Sequence, residues 1–298
     1  MTTFPHSRPV VAGVDGSESA VTAAVYAAQE AQRRGLPLLL VHATPWSSGR
    51  TPVAGPAALF GRMLEDSAGV LLRDAEATVR ERTGVTQVDT AVLDDHPVPA
   101  LAGISAEASL VVLGRRGVAG VPGVLAGSTA SGLVHHTRCP LIVLPDDLAG
   151  SDPARRPVVA GVEERRDDDE VLGFAMAEAV LRSTDVVAVH AWRDVVLEAE
   201  VGGFGSSVDW TGVEAEERRL LAEAVAGWRD KEPDVAIREE VVHARPVQAL
   251  LDQADTAQLL VVGHRHRGTF TRLGSTVHGL LHRAACPLAV VPVGQVPR

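Results

Sequence analysis

The chain has 298 residues, 46% of them hydrophobic, enough for two domains of about 150 residues with a core each. A formal net charge of −10 and an aromatic content of 3% exclude a basic phosphate-tracking stripe or a set of base-stacking rings, so nucleic acid is not an expected ligand. No apolar run approaches the ~18 residues that span a bilayer, and the N-terminus lacks a signal-peptide pattern, so a cytoplasmic protein without a membrane partner is expected.

The first expected strand, Pro9 to Val14, ends in Gly13-Val14-Asp15-Gly16-Ser17, and helical spacing follows from Ser19 to Arg33. A second strand spans Leu38 to His42, a long helix Ala57 to Arg82, and a third strand Val85 to Val92. Asp94-Asp95-His96 reads as turn and cap chemistry ahead of a helix from Val98 to Ala108. The fourth strand, Leu110 to Leu113, runs into Gly114-Arg115-Arg116-Gly117, then nine residues, then Gly127-Ser128-Thr129 opening a helical segment to about Thr137. Cys139-Pro140 leads into the fifth strand, Leu141 to Leu144. Short runs dense in Val, Leu and Ile predict strands buried on both faces. Their alternation with helices predicts a mostly parallel sheet covered by helices, which binds ligands beyond the carboxyl ends of its strands.

The pattern then repeats with a period of about 148 residues, the signature of a duplicated domain. Val10-Val11-Ala12-Gly13-Val14 recurs as Val158-Val159-Ala160-Gly161-Val162, and Val41-His42-Ala43 as Val189-His190-Ala191. Gly127-Ser128-Thr129 with Cys139-Pro140-Leu141 recurs as Gly274-Ser275-Thr276 with Cys286-Pro287-Leu288. Two domains, 1–147 and 156–294, follow, joined by a polar linker near Asp146 to Arg156. The two cysteines fall in matching contexts, which predicts buried structural thiols and not a disulfide framework.

The spacing G-x2-G-x9-G-S after the fourth strand suits phosphate binding. Glycines admit a phosphate without interference from Cβ, the following helix start offers N–H groups, and Ser128 and Thr129 add hydroxyls. The alternative is a plain crossover loop, since Gly120-Val121-Pro122-Gly123 is ordinary turn chemistry. A Walker A loop is excluded because it needs a lysine, and Lys231 is the single lysine of the chain. A dinucleotide fingerprint is absent after the first strand. His278 and His282 stand four apart on the last helix, but no nearby carboxylate or cysteine completes a metal site, so helix-surface histidines are expected.

Taken together, Gly13-Val14-Asp15-Gly16-Ser17, Val41-His42-Ala43, Gly114-x2-Gly117-x9-Gly127-Ser128 and Cys139-Pro140-Leu141-Ile142-Val143 resemble the universal stress protein family, in two consecutive copies. The resemblance implies Rossmann-like domains of the adenine nucleotide alpha hydrolase type, each an α/β five-stranded parallel sheet of order 3-2-1-4-5. It implies ATP or a related nucleotide at the strand ends, with Mg2+ left open. Asp15 with the backbone of Gly13 and Val14 would meet the adenosine portion, and Val41 would reach adenine through its backbone. Gly114, Gly117, Gly127, Ser128 and Thr129 would hold ribose and phosphates. Ala130 replaces a hydroxyl common in the family, with Ser131 adjacent. The resemblance also implies pairing of the two last strands into an intramolecular pseudo-dimer and leaves a homodimer open.

The second copy departs from this pattern. Glu163 replaces Asp15, Glu164-Arg165 replace Gly16-Ser17, His266 replaces the second loop glycine, and the stretch to Gly274 is two residues shorter. Weak or absent ATP binding is expected there, while His264, Arg265, His266 and Arg267 form a local positive cluster suited to another anion. Because Asp15 alone begins a catalytic set, a binding and signalling module is favoured over an enzyme. A slow ATP hydrolase, a phosphoryl-accepting protein using Ser128 or Thr129, and a nucleotide-independent scaffold stay open as alternatives.

Overall fold

The computed structural model describes residues 8–45, 56–117, 127–148, 156–163, 168–192, 210–265 and 274–294. They fall into two compact units, of which the first comprises the described residues up to Leu148 and the second those from Arg156 onward.

In unit 1 the order is β1 (Val10–Gly13), α1 (Glu18–Arg34), β2 (Leu38–Ala43), α2 (Pro56–Thr83), β3 (Val88–Leu93), α3 (Pro97–Ser105), β4 (Leu110–Gly114), α4 (Ser128–Leu133) and β5 (Leu141–Leu144). All pairings are parallel and the strands lie in the order β3-β2-β1-β4-β5. Unit 2 contains β6 (Val158–Val162), α5 (Asp168–Arg182), β7 (Val186–Trp192), α6 (Trp210–Lys231), β8 (Ile237–His243), α7 (Pro246–Ala254), β9 (Leu259–Arg265), α8 (Ser275–Arg283) and β10 (Leu288–Val293). Its parallel strands run β8-β7-β6-β9-β10. The expected α/β class, in two tandem copies, is therefore found.

The reason lies in which strands are covered. Central strands carry unbroken apolar runs, such as Val10-Val11-Ala12 and Leu110-Val111-Val112, all buried, because helices cover both faces. The edge strands β3 and β8 instead mix apolar positions with exposed Asp89, Thr90 and Arg238, the charged blunting that keeps an open edge from pairing with other chains. On α1, Ala20, Ala23, Ala24, Ala27, Ala28 and Ala31 form a small-residue face that lets the helix lie close on β1 and β4. On α2, Ala68, Leu72, Ala75 and Val79 form the buried stripe of an otherwise polar helix.

Helix ends follow the local chemistry. Ser17 caps α1 by accepting the Ala20 N–H at 3.1 Å. Gly35 closes the helix with φ 61°, and at the corresponding end of α5 Ser183 holds φ 51°, a left-handed conformation free of steric penalty only for glycine. Three boundaries differ from expectation. β3 starts at Val88 and not Val85, because the Val88 N–H turns back onto the Thr86 carbonyl at 3.2 Å. α3 stops at Ser105, where Ala106 and Glu107 bond to carbonyls three residues back and the Ser105 hydroxyl accepts the Arg138 N–H. α4 stops at Leu133, since His135 and His136 also bond three residues back and Thr137 is drawn inward by its hydroxyl bond to the Cys139 carbonyl at 2.7 Å.

Both cysteines are buried and unbridged, as expected. Burial pushes the Cys139 thiol up to about 12, against a smaller opposing contribution from the Thr137 hydroxyl. The thiol is therefore protonated at neutral pH, and a thiol-specific reagent at pH 8 should leave Cys139 of the native chain unmodified but label it in guanidinium. Fast labelling of the native protein would contradict this burial. Unfolding returns the group to its ordinary value near ~8.5. Its contribution to stability is thus complete below that pH and is lost as pH climbs toward the folded value.

Candidate functional site

The carboxyl ends of β1, β2 and β4 lie side by side on one edge of unit 1. Beyond β1, the Val14 N–H donates to the Val41 carbonyl at 2.8 Å, which prolongs the ladder by one bond. The Val14 carbonyl in turn lies 2.7 Å from Nδ1 of His42. These two bonds pin the chain just before Asp15. One carboxylate oxygen of Asp15 then accepts both the backbone N–H of Ser17 at 3.0 Å and its hydroxyl at 2.7 Å. Between them Gly16 turns with φ 90°, where a side chain would be strained. Sequence and bonding thus hold the Asp15 carboxylate in one orientation at the head of α1.

The glycine loop meets this carboxylate from β4. A Cβ built on Gly117 would stand 2.3 Å from the second carboxylate oxygen of Asp15. The Arg115 carbonyl accepts the Gly127 N–H at 2.7 Å, and a Cβ on Gly127 would lie 3.2 Å from that same carbonyl and 3.8 Å from the Gly117 nitrogen. The chain therefore leaves and returns at one point, against Asp15. Gly120 to Gly123 lie outside the described residues. Ser128, exposed, and Thr129, half-buried, begin α4, whose capping residue Gly127 supplies no side-chain bond to the first turn. Ala130 is buried.

Of the nine residues singled out in sequence, Gly117 meets Asp15 and Gly127 meets Gly117, with Ser128 and Thr129 following Gly127. Val14 and Val41 are joined by their hydrogen bond, which leaves the Val41 carbonyl one further lone pair. Gly13 and Gly114 have another explanation. A Cβ on Gly13 would strike Leu113 at 2.6 Å, and one on Gly114 would stand 2.3 Å from the Ser19 hydroxyl and 2.7 Å from the Ser19 backbone. Their small size seats the strand ends against the core and against α1.

Sequence reasoning missed His42 as the clamp on Val14, although the signal was present: His190 recurs at the equivalent place, with Nδ1 2.9 Å from the Val162 carbonyl. It also missed the ion pair, 3.2 Å long, between Arg116 of the loop and Asp146 after β5. A cleft of about 460 Å³ between α1 and α2 shares Val14 and Gly16 with the site but takes none of the loop glycines into its lining, so it lies beside the cradle. Among the described residues, no group of three His, Cys, Asp or Glu is placed to hold a metal ion, and no helix is long and apolar enough to cross a membrane.

Unit 2 builds its strand ends differently. β9 runs on through His264 and Arg265, paired with Pro292 and Val293, where β4 already ends at Gly114. The residues that form a turn in unit 1 are here part of the sheet, because nothing at His264 or Arg265 favours leaving it. Only eight residues then separate Arg265 from Gly274, against twelve between Gly114 and Gly127. Among the described residues, Gly274 has no neighbour within 4 Å of a notional Cβ, and Glu163 is exposed. Glu164, Arg165, His266 and Arg267 lie outside the described residues.

A profile of the universal stress protein family matches residues 6–145 and again residues 154–292. The chain belongs to the universal stress protein family. Two universal stress proteins of Mycobacterium tuberculosis (strain ATCC 25618 / H37Rv) are each 34% identical to it. One aligns over 306 residues, covering 97% of this chain and 96% of the relative. The other aligns over 291 residues, covering 95% and 96%. Among solved structures, a universal stress protein from Archaeoglobus fulgidus DSM 4304 superposes with a TM-score of 0.69 at 17% identity, covering 97% of this chain and 99% of that one, a likeness of fold. In this universal stress protein the two copies share the fold, and the described glycine cradle belongs to the first.

Proposed function

We propose that unit 1 binds an adenine nucleotide, ATP in the first instance, and that the protein is a cytoplasmic, non-catalytic stress-response and signalling module. The observation that carries this reading is the approach of Gly117 to Asp15 where Gly127 brings the loop back beside Gly117, a cradle that a single Cβ on Gly117 would fill. Glycine at both ends of the loop keeps Cβ atoms away from a phosphate, and the first-turn N–H groups and hydroxyls of Ser128 and Thr129 supply donors where the chain returns. Each such bond to a charged oxygen contributes about 1.5–3 kcal/mol. Four or five of them, less the association cost, support micromolar affinity, about −8 kcal/mol. Adenosine would lie toward Asp15, Val14 and the remaining lone pair of Val41, with Mg2+ accompanying the phosphates. Family membership supports a stress-response role.

A binding role is favoured over turnover because the Asp15 carboxylate is committed to Ser17 through one oxygen and faces Gly117 with the other. It is fixed beside the loop and is not poised as a base. Mass spectrometry of ligand released from gently purified protein, followed by calorimetric titration with ATP, tests the proposal. One nucleotide per chain with micromolar affinity is expected, without sustained ATP turnover. Neither released nucleotide nor titratable binding would leave unit 1 as a scaffold.

A further inference from the structure

Unit 2 carries, at the carboxyl ends of β7 and β8, a cluster of aromatic rings that has no counterpart among the described residues of unit 1. Trp192 ends β7, His243 ends β8 in register with it, and Trp210 opens α6. The Trp192 and His243 rings stack with centroids 4.3 Å apart and planes 19° apart. Trp210 lies 5.6 Å from His243 at 28° and 6.1 Å from Trp192 at 32°. These distances describe a triangle of nearly parallel rings and not a column. The indole of Trp192 is buried at 9% exposure, while Trp210, at 38%, and His243 are exposed. The corresponding residues of unit 1 are Thr44 and Asp94.

Two further facts point to a ligand. Among the described residues, the Nε1 donor of Trp192 is buried without a hydrogen-bond partner, a state that costs free energy. The cluster also stands on the edge where parallel sheets receive ligands. Below it, His190 bridges the Val162 carbonyl and Glu217 of α6, both at 2.9 Å, which fixes α6 and hence Trp210 against β7. From this arrangement we infer that unit 2 holds a second site, for a planar heteroaromatic ring without a polyphosphate. The ring stacks on the exposed Trp210 and His243, beside the buried indole of Trp192. Polyphosphate is disfavoured because β9 stays in the sheet through Arg265, Gly274 meets none of the described residues within 4 Å of a notional Cβ, and Glu217, paired with His190, puts a carboxylate beside β7.

The test uses the full chain and adenosine as probe, read by proton NMR of the four indole N–H signals, each assigned with a Trp→Phe variant. It is independent of unit 1, because the signals of Trp192 and Trp210 report on unit 2 alone. Adenosine should shift both in a saturable manner and leave Trp228, at the far end of α6, in place as the folding control. ATP should bind there more weakly than adenosine. His243→Ala, with the Trp228 signal unchanged, should weaken adenosine about tenfold, the scale of one lost stacking partner. Indole signals of Trp192 and Trp210 that stay fixed up to millimolar adenosine, or an affinity unchanged in His243→Ala, would overturn the inference.

Discussion

Replacing Gly117 by valine should abolish nucleotide binding while leaving the protein folded. The new Cβ would start 2.3 Å from the Asp15 carboxylate and 3.5 Å from its Cγ, so one of the two must move. Asp15 cannot rotate away cheaply, because its other oxygen holds the Ser17 N–H and hydroxyl, and the same Ser17 hydroxyl caps α1. The loop is displaced instead, and with it the backbone donors that face phosphate. Loss of two charge-assisted hydrogen bonds, at about 1.5–3 kcal/mol each, corresponds to a fall in affinity of roughly 10²–10⁴. Because Gly117 lies beyond β4 and outside the core, the melting temperature should change by no more than a few degrees. Calorimetry with ATP and a thermal melt on the same sample separate the two effects. An affinity within threefold of the parent chain would place the nucleotide elsewhere; a collapsed melt would show that the glycine serves the fold.

How much of this was readable in the chain itself depends on the range of the interaction. The duplication, the strand and helix alternation and the loop spacing are local patterns, so they survive in one dimension. The contact of Gly117 with Asp15 joins residues a hundred positions apart, and only the parallel pairing of β1 with β4 brings them together. His42 was legible in principle, since His190 repeats it, but a lone histidine at a strand end has many uses. The extension of β9 through His264 and Arg265 was hidden, because a missing glycine signals a changed loop without saying that the strand continues. Trp192, Trp210 and His243 come from two strands and a helix, and no spacing rule connects them. Glu30 and Glu178 were also invisible, as a glutamate on a helix reads as solvated surface.

Those two glutamates, 148 positions apart, lead to the largest expected loss of stability. Glu30 is fully buried and pairs with Arg33 at 2.6 Å and with Arg34. Glu178 of α5 pairs with Arg182, and these side chains are only 1% and 3% exposed. Glu178→Ala removes the carboxylate that offsets a guanidinium already out of water. Deleting one partner of a buried pair typically costs about 3–5 kcal/mol, more than the pair contributes, because the remaining charge stays in a low-dielectric site. Glu30→Ala should fall less far, since Arg33 is 37% exposed and Arg34 12%, and both have a path to solvent. Glu216→Ala, on the exposed face of α6 where Glu216 pairs with Arg219, should leave the transition in place because water screens that pair. Urea unfolding of the three variants should therefore rank Glu178→Ala as the least stable, then Glu30→Ala, with Glu216→Ala at the parent midpoint. Equal midpoints for the first and third would mean that burial does not govern these pairs. A double replacement of Glu178 and Arg182 by apolar residues of similar volume should recover most of the loss, because it removes both buried charges.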